Sequence, residues 1–477
     1  MLFSSIVFLF YFFPAVFLLY YLLSFSRLLQ NLLLLIASLF FYAWGEPVYV
    51  LLMISSIIFN SLFGYIVDRI GNRSLKKAAL IFDITVNIAC LFVFKYLTFF
   101  IENVERAGNI NLPDWNVSLP IGISFFTFQA LSYVVDVYRG VTKAENPFYV
   151  GLYISFFPQL IAGPIIQYNT VADQIRNRKS DFNKISLGIC RFTAGLGKKV
   201  LLSNAFAAVA DNIFTWSAIG TDNYTVPALL AWLGSISYSL QIYYDFSAYS
   251  DMAIGLGLIF GFKFGENFNY PYIADSIGEF WKRWHISLTD WFHDYVYFPL
   301  GGSRVKNKDF MVRNMFIVWL LTGIWHGANW TFIFWGLMYF VVLLAERFFD
   351  IPSKLQNRFL KHLYTLLIVN ALWVVFRADD LYQAGIMFVN MLGLNRNGIL
   401  SDKAFMLVRE NLVFYILGII FAMPVARDFN ERLYNNQQSG VIKAWSALYP
   451  VIMTLVFIIS VSYLASGTYN PFIYFNF

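Results

Sequence analysis

Residues 279–302 read Glu279-Phe-Trp-Lys-Arg-Trp-His285-Ile-Ser-Leu-Thr-Asp-Trp-Phe-His293-Asp-Tyr-Val-Tyr-Phe-Pro-Leu-Gly-Gly302, and the chain runs on to Thr322-Gly-Ile-Trp-His326-Gly-Ala-Asn329. These two pieces hold three of the protein's four histidines. Wound as a helix at about 100° per residue, the stretch from Trp281 to Phe298 places Trp281, Trp284, Leu288, Trp291, Phe292 and Tyr295 on one arc. Lys282, Arg283, Asp290, His293 and Asp294 occupy the rest. The pattern predicts an amphipathic helix lying in a membrane interface and ended by Pro299. His285 falls at the edge of the apolar arc, where an imidazole needs a partner or a cavity. His293 falls on the polar arc and is expected at the surface. His362, beside Lys361 at a span boundary, reads as an ordinary interface residue.

The second piece interrupts an apolar run, Met315–Leu344, of about 30 residues. As straight helix that run would measure about 45 Å, too long for one crossing of a ~30 Å hydrocarbon core. Gly323, Gly327 and Asn329 offer the break, and His326 sits at it. Ionisable residues inside membrane segments are rare and point to function, although a histidine can also pin two helices together by hydrogen bonding. Imidazole suits proton transfer near neutral pH, so His326 is a candidate base for an attacking hydroxyl. No serine elbow, P-loop or dinucleotide fingerprint lies beside it. The residues alone leave an enzyme and a carrier open.

The composition sets the solvent. Of 477 residues, 59% are hydrophobic and 13% charged, and the mean hydropathy is +0.60. Soluble domains carry about 25% charged residues. The runs approach 20 residues, so the fold expected is all-α, a polytopic integral membrane protein rather than a barrel. We expect roughly ten to twelve membrane segments, some re-entrant or broken, around a central tunnel, in one domain covering 1–477. Two cysteines and scattered histidines give no zinc spacing, so no metal is expected. The net charge of +6 reflects basic cytoplasmic loops rather than nucleic-acid binding.

In chain order the spans expected are Ile6–Leu23, Leu28–Trp44, Val48–Val67, Ala78–Phe100 and Leu119–Val137, then Val200–Trp216 and Pro227–Tyr244 around an outer loop near Gly220–Tyr224. His362–Phe376, Leu412–Pro424 and Ala444–Tyr463 follow the centre. Met1-Leu-Phe-Ser-Ser lacks a basic n-region, so the first span is retained. Asp68–Lys77 and the stretch Val171–Lys199, with seven basic residues, mark the cytoplasm. The loop Ile101–Ser118, with Glu102, Glu105 and Asp114, is placed outside. Pro158, Gly163 and Pro164 break an apolar run, which membranes tolerate only where protein or water covers the backbone. Ala253–Phe264 is short for a span and reads as a re-entrant arm. Before it, Asp245 and Asp251 lie in an otherwise apolar region.

Phe280-Trp-Lys-Arg-Trp-His285-Ile-Ser-Leu, Asp294-Tyr-Val-Tyr-Phe-Pro-Leu-Gly-Gly302 and Trp325-His326-Gly327 resemble the membrane-bound O-acyltransferase family. Leu119-Pro-Ile-Gly-Ile-Ser-Phe-Phe-Thr-Phe-Gln129, Phe156-Phe-Pro-Gln-Leu-Ile-Ala-Gly-Pro164, Tyr244-Asp-Phe-Ser-Ala-Tyr-Ser-Asp251 and the tail Asn470-Pro-Phe-Ile-Tyr-Phe-Asn-Phe477 are similar to its bacterial polysaccharide O-acetylation branch. The resemblance implies acetyl transfer from a cytoplasmic thioester, acetyl-CoA, toward hydroxyls of a cell-surface polysaccharide such as alginate or peptidoglycan. It implies His326 as general base and His285 as the second catalytic histidine on the cytoplasmic approach. Trp325, Asn329, Asp245 and Asp251 are the further candidates for substrate contact, with a structural role equally open to the aspartates. It also implies a multi-pass location in the inner (plasma) membrane in contact with lipid, no bound cofactor, and a secreted or periplasmic partner that completes the transfer. The branch that moves D-alanine to teichoic acid shares much of the centre and is the alternative, together with a non-catalytic acyl transporter.

Overall fold

A computed structural model describes residues 1–477 except 114, 116, 219–225, 304–307, 436–438, 468 and 474–477. Asp114, the loop expected near Gly220–Tyr224 and the last four residues of the tail therefore lie outside the described residues. Every regular element among the described residues is helical. The protein is a polytopic membrane protein. Among the described residues, six helices are long and apolar enough to cross a bilayer: Arg27–Gly45, Tyr49–Arg69, Arg73–Gly108, Trp330–Phe349, Arg358–Arg377 and Gly440–Ala465. A seventh is possible if Asp402–Glu410 and Leu412–Phe421, bent by 68°, count as one span. Leu51, Ile58, Leu62 and Ile81 on these helices are exposed, as apolar groups facing lipid are.

The remaining segments of the expected ten to twelve are shorter, bent or buried. Their different chemistry has a physical cause: a helix surrounded by protein need not be apolar all round. Ala228–Ile259 is one helix of 32 residues, about 48 Å long. It carries Ser235, Ser237, Gln241, Asp245, Ser247, Ser250 and Asp251, all buried. This corrects the reading of Ala253–Phe264 as a separate re-entrant arm. Asp245 and Asp251, noted in the sequence as carboxylates in an apolar region, are interior positions of this continuous helix.

Residue contacts divide the chain into two compact units. The first comprises Met1–Phe192, Ser250–Glu266 and Asp290–Val296. Its helices Tyr49–Arg69 and Arg73–Leu91 pack on Ile123–Arg139, which is buried along almost its whole length. The proline-broken segment is here too. Helix Pro147–Ser155 ends, and a single turn, Phe157–Leu160, follows, with Ser155 through Ile166 all buried. The Ser38 hydroxyl oxygen accepts from the Phe157 N–H at 3.1 Å, and the Tyr153 hydroxyl donates to the Ile166 carbonyl at 2.6 Å. The broken backbone is thus covered and partly paired by protein, as its place in a membrane protein requires.

The second unit comprises Thr193–Tyr249, Asn267–Thr289 and Tyr297–Phe477. Its tightest element is the hairpin of Lys308–His326 and Trp330–Phe349. Two glycines let the backbones touch. A Cβ at Gly336 would lie 2.5 Å from the Trp319 carbonyl oxygen and 3.0 Å from Gly323 Cα, and one at Gly323 would lie 2.6 Å from the Phe332 carbonyl oxygen. Such small-residue contacts are how helices associate closely in a bilayer. Since the obstacles are backbone atoms, Gly336→Ala is expected to spread the hairpin and cost about 1–3 kcal/mol, read as a lowered unfolding temperature in detergent. Gly385→Ala, where an added Cβ meets nothing within 4 Å, is the control and should be neutral or slightly stabilising.

Candidate active site

The apolar run 315–344 breaks where the sequence places the break. The first helix ends at His326 and the next begins at Trp330, with the Asn329 side chain accepting from the Thr331 N–H at 3.1 Å. Asn329 also donates to the Asp379 carbonyl at 2.8 Å. It therefore caps the returning helix and ties down its start. His326 is 7% exposed. Its ring centroid lies 5.0 Å from Trp325, 5.0 Å from Trp335 and 5.1 Å from Phe376, all edge-on. It lines a small cavity with Ile242, Phe246, Trp284, Trp373, Phe376 and Ile473.

The 281–298 stretch does not form the single amphipathic helix that its periodicity predicts. Helix Ile277–Arg283 stops, Trp284 is extended, and a second helix covers Ile286–Phe292 before a π turn, His293–Tyr297. The break falls on His285, whose φ is +46°. A left-handed conformation costs a residue with a Cβ about 1–2 kcal/mol, so something must hold it. Asn267 does. Its main-chain carbonyl accepts from the Ile286 N–H at 3.0 Å. Its side-chain Oδ1 accepts from the Ser287 N–H at 3.2 Å and from the Ser287 hydroxyl at 2.9 Å. Packing supplies the rest. Trp284 lies 4.9 Å from Trp373 and 5.0 Å from Phe268, and Phe246 meets the His285 ring edge-on at 4.5 Å. Tertiary contacts override the local helical preference.

These bonds also fix the state of His285. A backbone N–H can only donate, so the Ser287 contact identifies the Asn267 atom as oxygen. His285 Nδ1, 3.2 Å from the same oxygen, must then carry its proton and donate. Nε2 is left with its lone pair. It is buried and has no hydrogen-bond partner among the described residues. Burial, and next the charge of the neighbouring His326, hold His285 well below the usual histidine range. The ring is 1% exposed, and its centroid lies 6.0 Å from Trp325. A neutral, oriented imidazole with a free nitrogen can accept a proton or a hydrogen bond from a substrate.

Trp325 thus contacts both imidazoles, and His285, Trp325 and His326 come together in the second unit. The other candidates are held elsewhere. Asp251 belongs to the first unit, where Arg191 reaches it at 2.6 Å and Glu266 at 2.5 Å. Asp245 pairs with Lys199 at 2.6 Å. The side chain of His293 is 50% exposed, and His362 Nδ1 meets the Ala274 carbonyl at 3.0 Å. Sequence reasoning gave no role to Asn267, Trp373, Phe376 or Ile473. The one signal for Asn267 was a polar residue leading into an aromatic-rich stretch.

The chain that brings these two histidines together is similar to proteins of known family. Residues 141–376 match the membrane-bound O-acyltransferase (MBOAT) family, and relatives match along the whole chain. The chain is 39% identical to the probable alginate O-acetylase AlgI of Pseudomonas putida over the full length of both proteins. The chain belongs to the membrane-bound O-acyltransferase family. It is also 33% identical to the peptidoglycan O-acetyltransferase of Helicobacter pylori, over 100% of this chain and 98% of the relative. The teichoic acid D-alanyltransferase of Bacillus subtilis matches at 32% over 51% of this chain and 62% of the relative. The protein is an O-acyltransferase, which sets aside the reading of a pure carrier.

If Asn267 orients His285, Asn267→Ala should lower acyl transfer up to about a hundredfold, the effect of a misplaced catalytic group, in protein that still extracts and elutes as wild type. In Asn267→Asp the acceptor remains and a carboxylate faces Nδ1. That charge favours the imidazolium, so the acid limb of the pH–rate profile should move to higher pH.

Proposed function

We propose that this O-acyltransferase moves an acetyl group from a cytoplasmic thioester, acetyl-CoA, across the inner (plasma) membrane toward hydroxyls of a cell-surface polysaccharide such as alginate or peptidoglycan. The observation that carries the reading is the cavity beside His326. Apart from that imidazole its lining is entirely hydrocarbon or aromatic, and the space open to the centre of a water-sized group is about 10 Å³. That is room for about one such group, the size of a methyl. The full-length similarity to proteins named as an alginate O-acetylase and a peptidoglycan O-acetyltransferase supports the acceptor class.

The chemistry follows from the residues. His326 takes the proton of the acceptor hydroxyl as its oxygen attacks the thioester carbonyl carbon. The C–O bond of the ester forms, the C–S bond breaks, and the sulfur leaves with the proton as CoA thiol. His326 closes the C-terminal end of helix Lys308–His326, and the carbonyls of that turn stabilise the positive charge the ring acquires. The aromatic rings exclude water, which would otherwise hydrolyse the thioester. His285, with a free Nε2 close by, is the second proton acceptor on the donor side. Trp325, packed on both rings, holds their spacing. On this reading the first acceptor hydroxyl is an intermediate one, and a secreted or periplasmic partner moves the acetyl group from that ester to a hydroxyl of the polymer, releasing the first hydroxyl.

D-alanyl transfer fits less well. A D-alanyl group would bring an ammonium beside the acyl carbon, and the cavity lining offers it only an imidazole that is itself needed as base. An unpaired buried cation is strongly disfavoured.

His326→Ala should lower transfer of acetyl from labelled acetyl-CoA by about 10²–10⁴, the usual worth of a positioned acid–base group. His285→Ala should cost less, and His293→Ala least. Full acetylation by a well-expressed His326→Ala protein overturns the assignment.

A further inference from the structure

One wall of the cavity comes from a distant part of the chain. Ile473, 8% exposed, faces the same space as His326, 147 residues earlier in sequence. The segment Asn470–Ile473 is fastened residue by residue. Asn204 donates to the Asn470 side-chain oxygen at 3.2 Å. The Lys199 ammonium donates to the Pro471 carbonyl. Phe472 lies against Tyr249 with ring centroids 5.0 Å apart. The Ile473 N–H donates to Asp245 Oδ2 at 2.9 Å.

Lys199 and Asp245 also pair with each other at 2.6 Å, their side chains only 3% and 2% exposed. A buried ion pair is poor evidence for stability, because desolvation offsets the attraction. Its use here is geometric. The cation meets a carbonyl and the carboxylate meets an N–H two residues further on, so the pair reads the polarity and register of one stretch of backbone outside the long helices. Shifting that stretch by a residue would leave a buried charge unmatched.

We propose that Ile473, held in register by Lys199 and Asp245, is the specificity-determining wall that limits the transferred acyl group to two carbons. The inference rests on the reading that this cavity receives the acyl group. Beyond its carbonyl, acetyl needs space for one methyl, which the cavity supplies. Propionyl and butyryl need one and two further methylenes, and these meet Ile473. Four of the other lining residues, Ile242, Phe246, Trp373 and Phe376, sit on the long helices Ala228–Ile259 and Arg358–Arg377. Ile473 stands on a short fastened segment, so truncating it opens the cavity without disturbing a helix. Lys199 and Asp245 are positioning residues: they act on the acyl group only through Ile473.

The test uses full-length protein in vesicles given acetyl-, propionyl- or butyryl-CoA with de-O-acetylated alginate or peptidoglycan fragments, reading the free CoA released from each. Wild type should prefer acetyl over butyryl at least tenfold, since each methylene in a tight apolar pocket discriminates by about 10–200-fold. Ile473→Ala should raise the butyryl-to-acetyl ratio by about tenfold or more. Ile473→Val, one methyl smaller, should raise the propionyl ratio several-fold, and it carries the test if Ile473→Ala does not accumulate. Asp245→Asn, which keeps an acceptor but loses the charge, should relax the ratio in the same direction. A merely structural role would change the amount of folded protein and leave the ratio alone. An unchanged ratio in both Ile473 variants overturns the wall while the acetyl-CoA reading stands. A wild type that releases CoA from none of the three overturns that reading and the wall with it.

Discussion

The close approach of Gly323 and Gly336 is the contact on which the site depends. Without side chains between them, Lys308–His326 and Trp330–Phe349 lie backbone against backbone, and the turn between them can be only three residues long. A turn that short carries the last residue of the first helix into the rings of the second. His326 consequently sits on Trp335 as well as on Trp325 and Phe376. In a lipid environment there is no hydrophobic force to press helices together, so the gain comes from close packing itself. The aromatic enclosure of the imidazole follows from the same contact.

Around this hairpin, a small set of polar side chains holds the backbone where it leaves helical geometry. Asn329 starts a helix, Asn267 holds a turn, and Lys199 with Asp245 holds a stretch of irregular backbone. None of these could be solvated by the bilayer, and each would be costly if left alone. Asn329, Asn267, Lys199 and Asp245 thus serve backbone near the cavity where helical hydrogen bonding stops.

Much of this was legible in the sequence, for identifiable reasons. The break at His326 could be read because a length argument forces it: about 30 apolar residues do not fit one crossing. The buried break at 156–164 could be read because proline removes a donor wherever it stands. The break at His285 could not. Residues 281–298 have a clean helical period, and what defeats it is Asn267, fourteen residues upstream of Trp281 in sequence and beside His285 in space. His285 is indeed buried, though not for the reason periodicity gives. The same limitation hid the pairing of Asp245 with Lys199 and the arrival of Ile473 at the cavity. Long-range partners leave no mark in local pattern. The count of segments was uncertain for a different reason. A helix such as Ala228–Ile259, enclosed by protein, carries serines and carboxylates that mimic a loop.

The left-handed turn at His285 bears on how the protein comes into being. Local preference and final structure disagree there, a point of frustration in an otherwise consistent chain. A free segment covering residues 277–297 has no Asn267 to supply its three side-chain bonds, each worth about 0.5–1.5 kcal/mol, against the ~1–2 kcal/mol of the turn. Its natural course is a continuous helix, with His285 turned by its own backbone rather than by a neighbour. The orientation of the imidazole therefore depends on Asn267 being docked, because the segment alone carries the histidine but not the contacts that aim it.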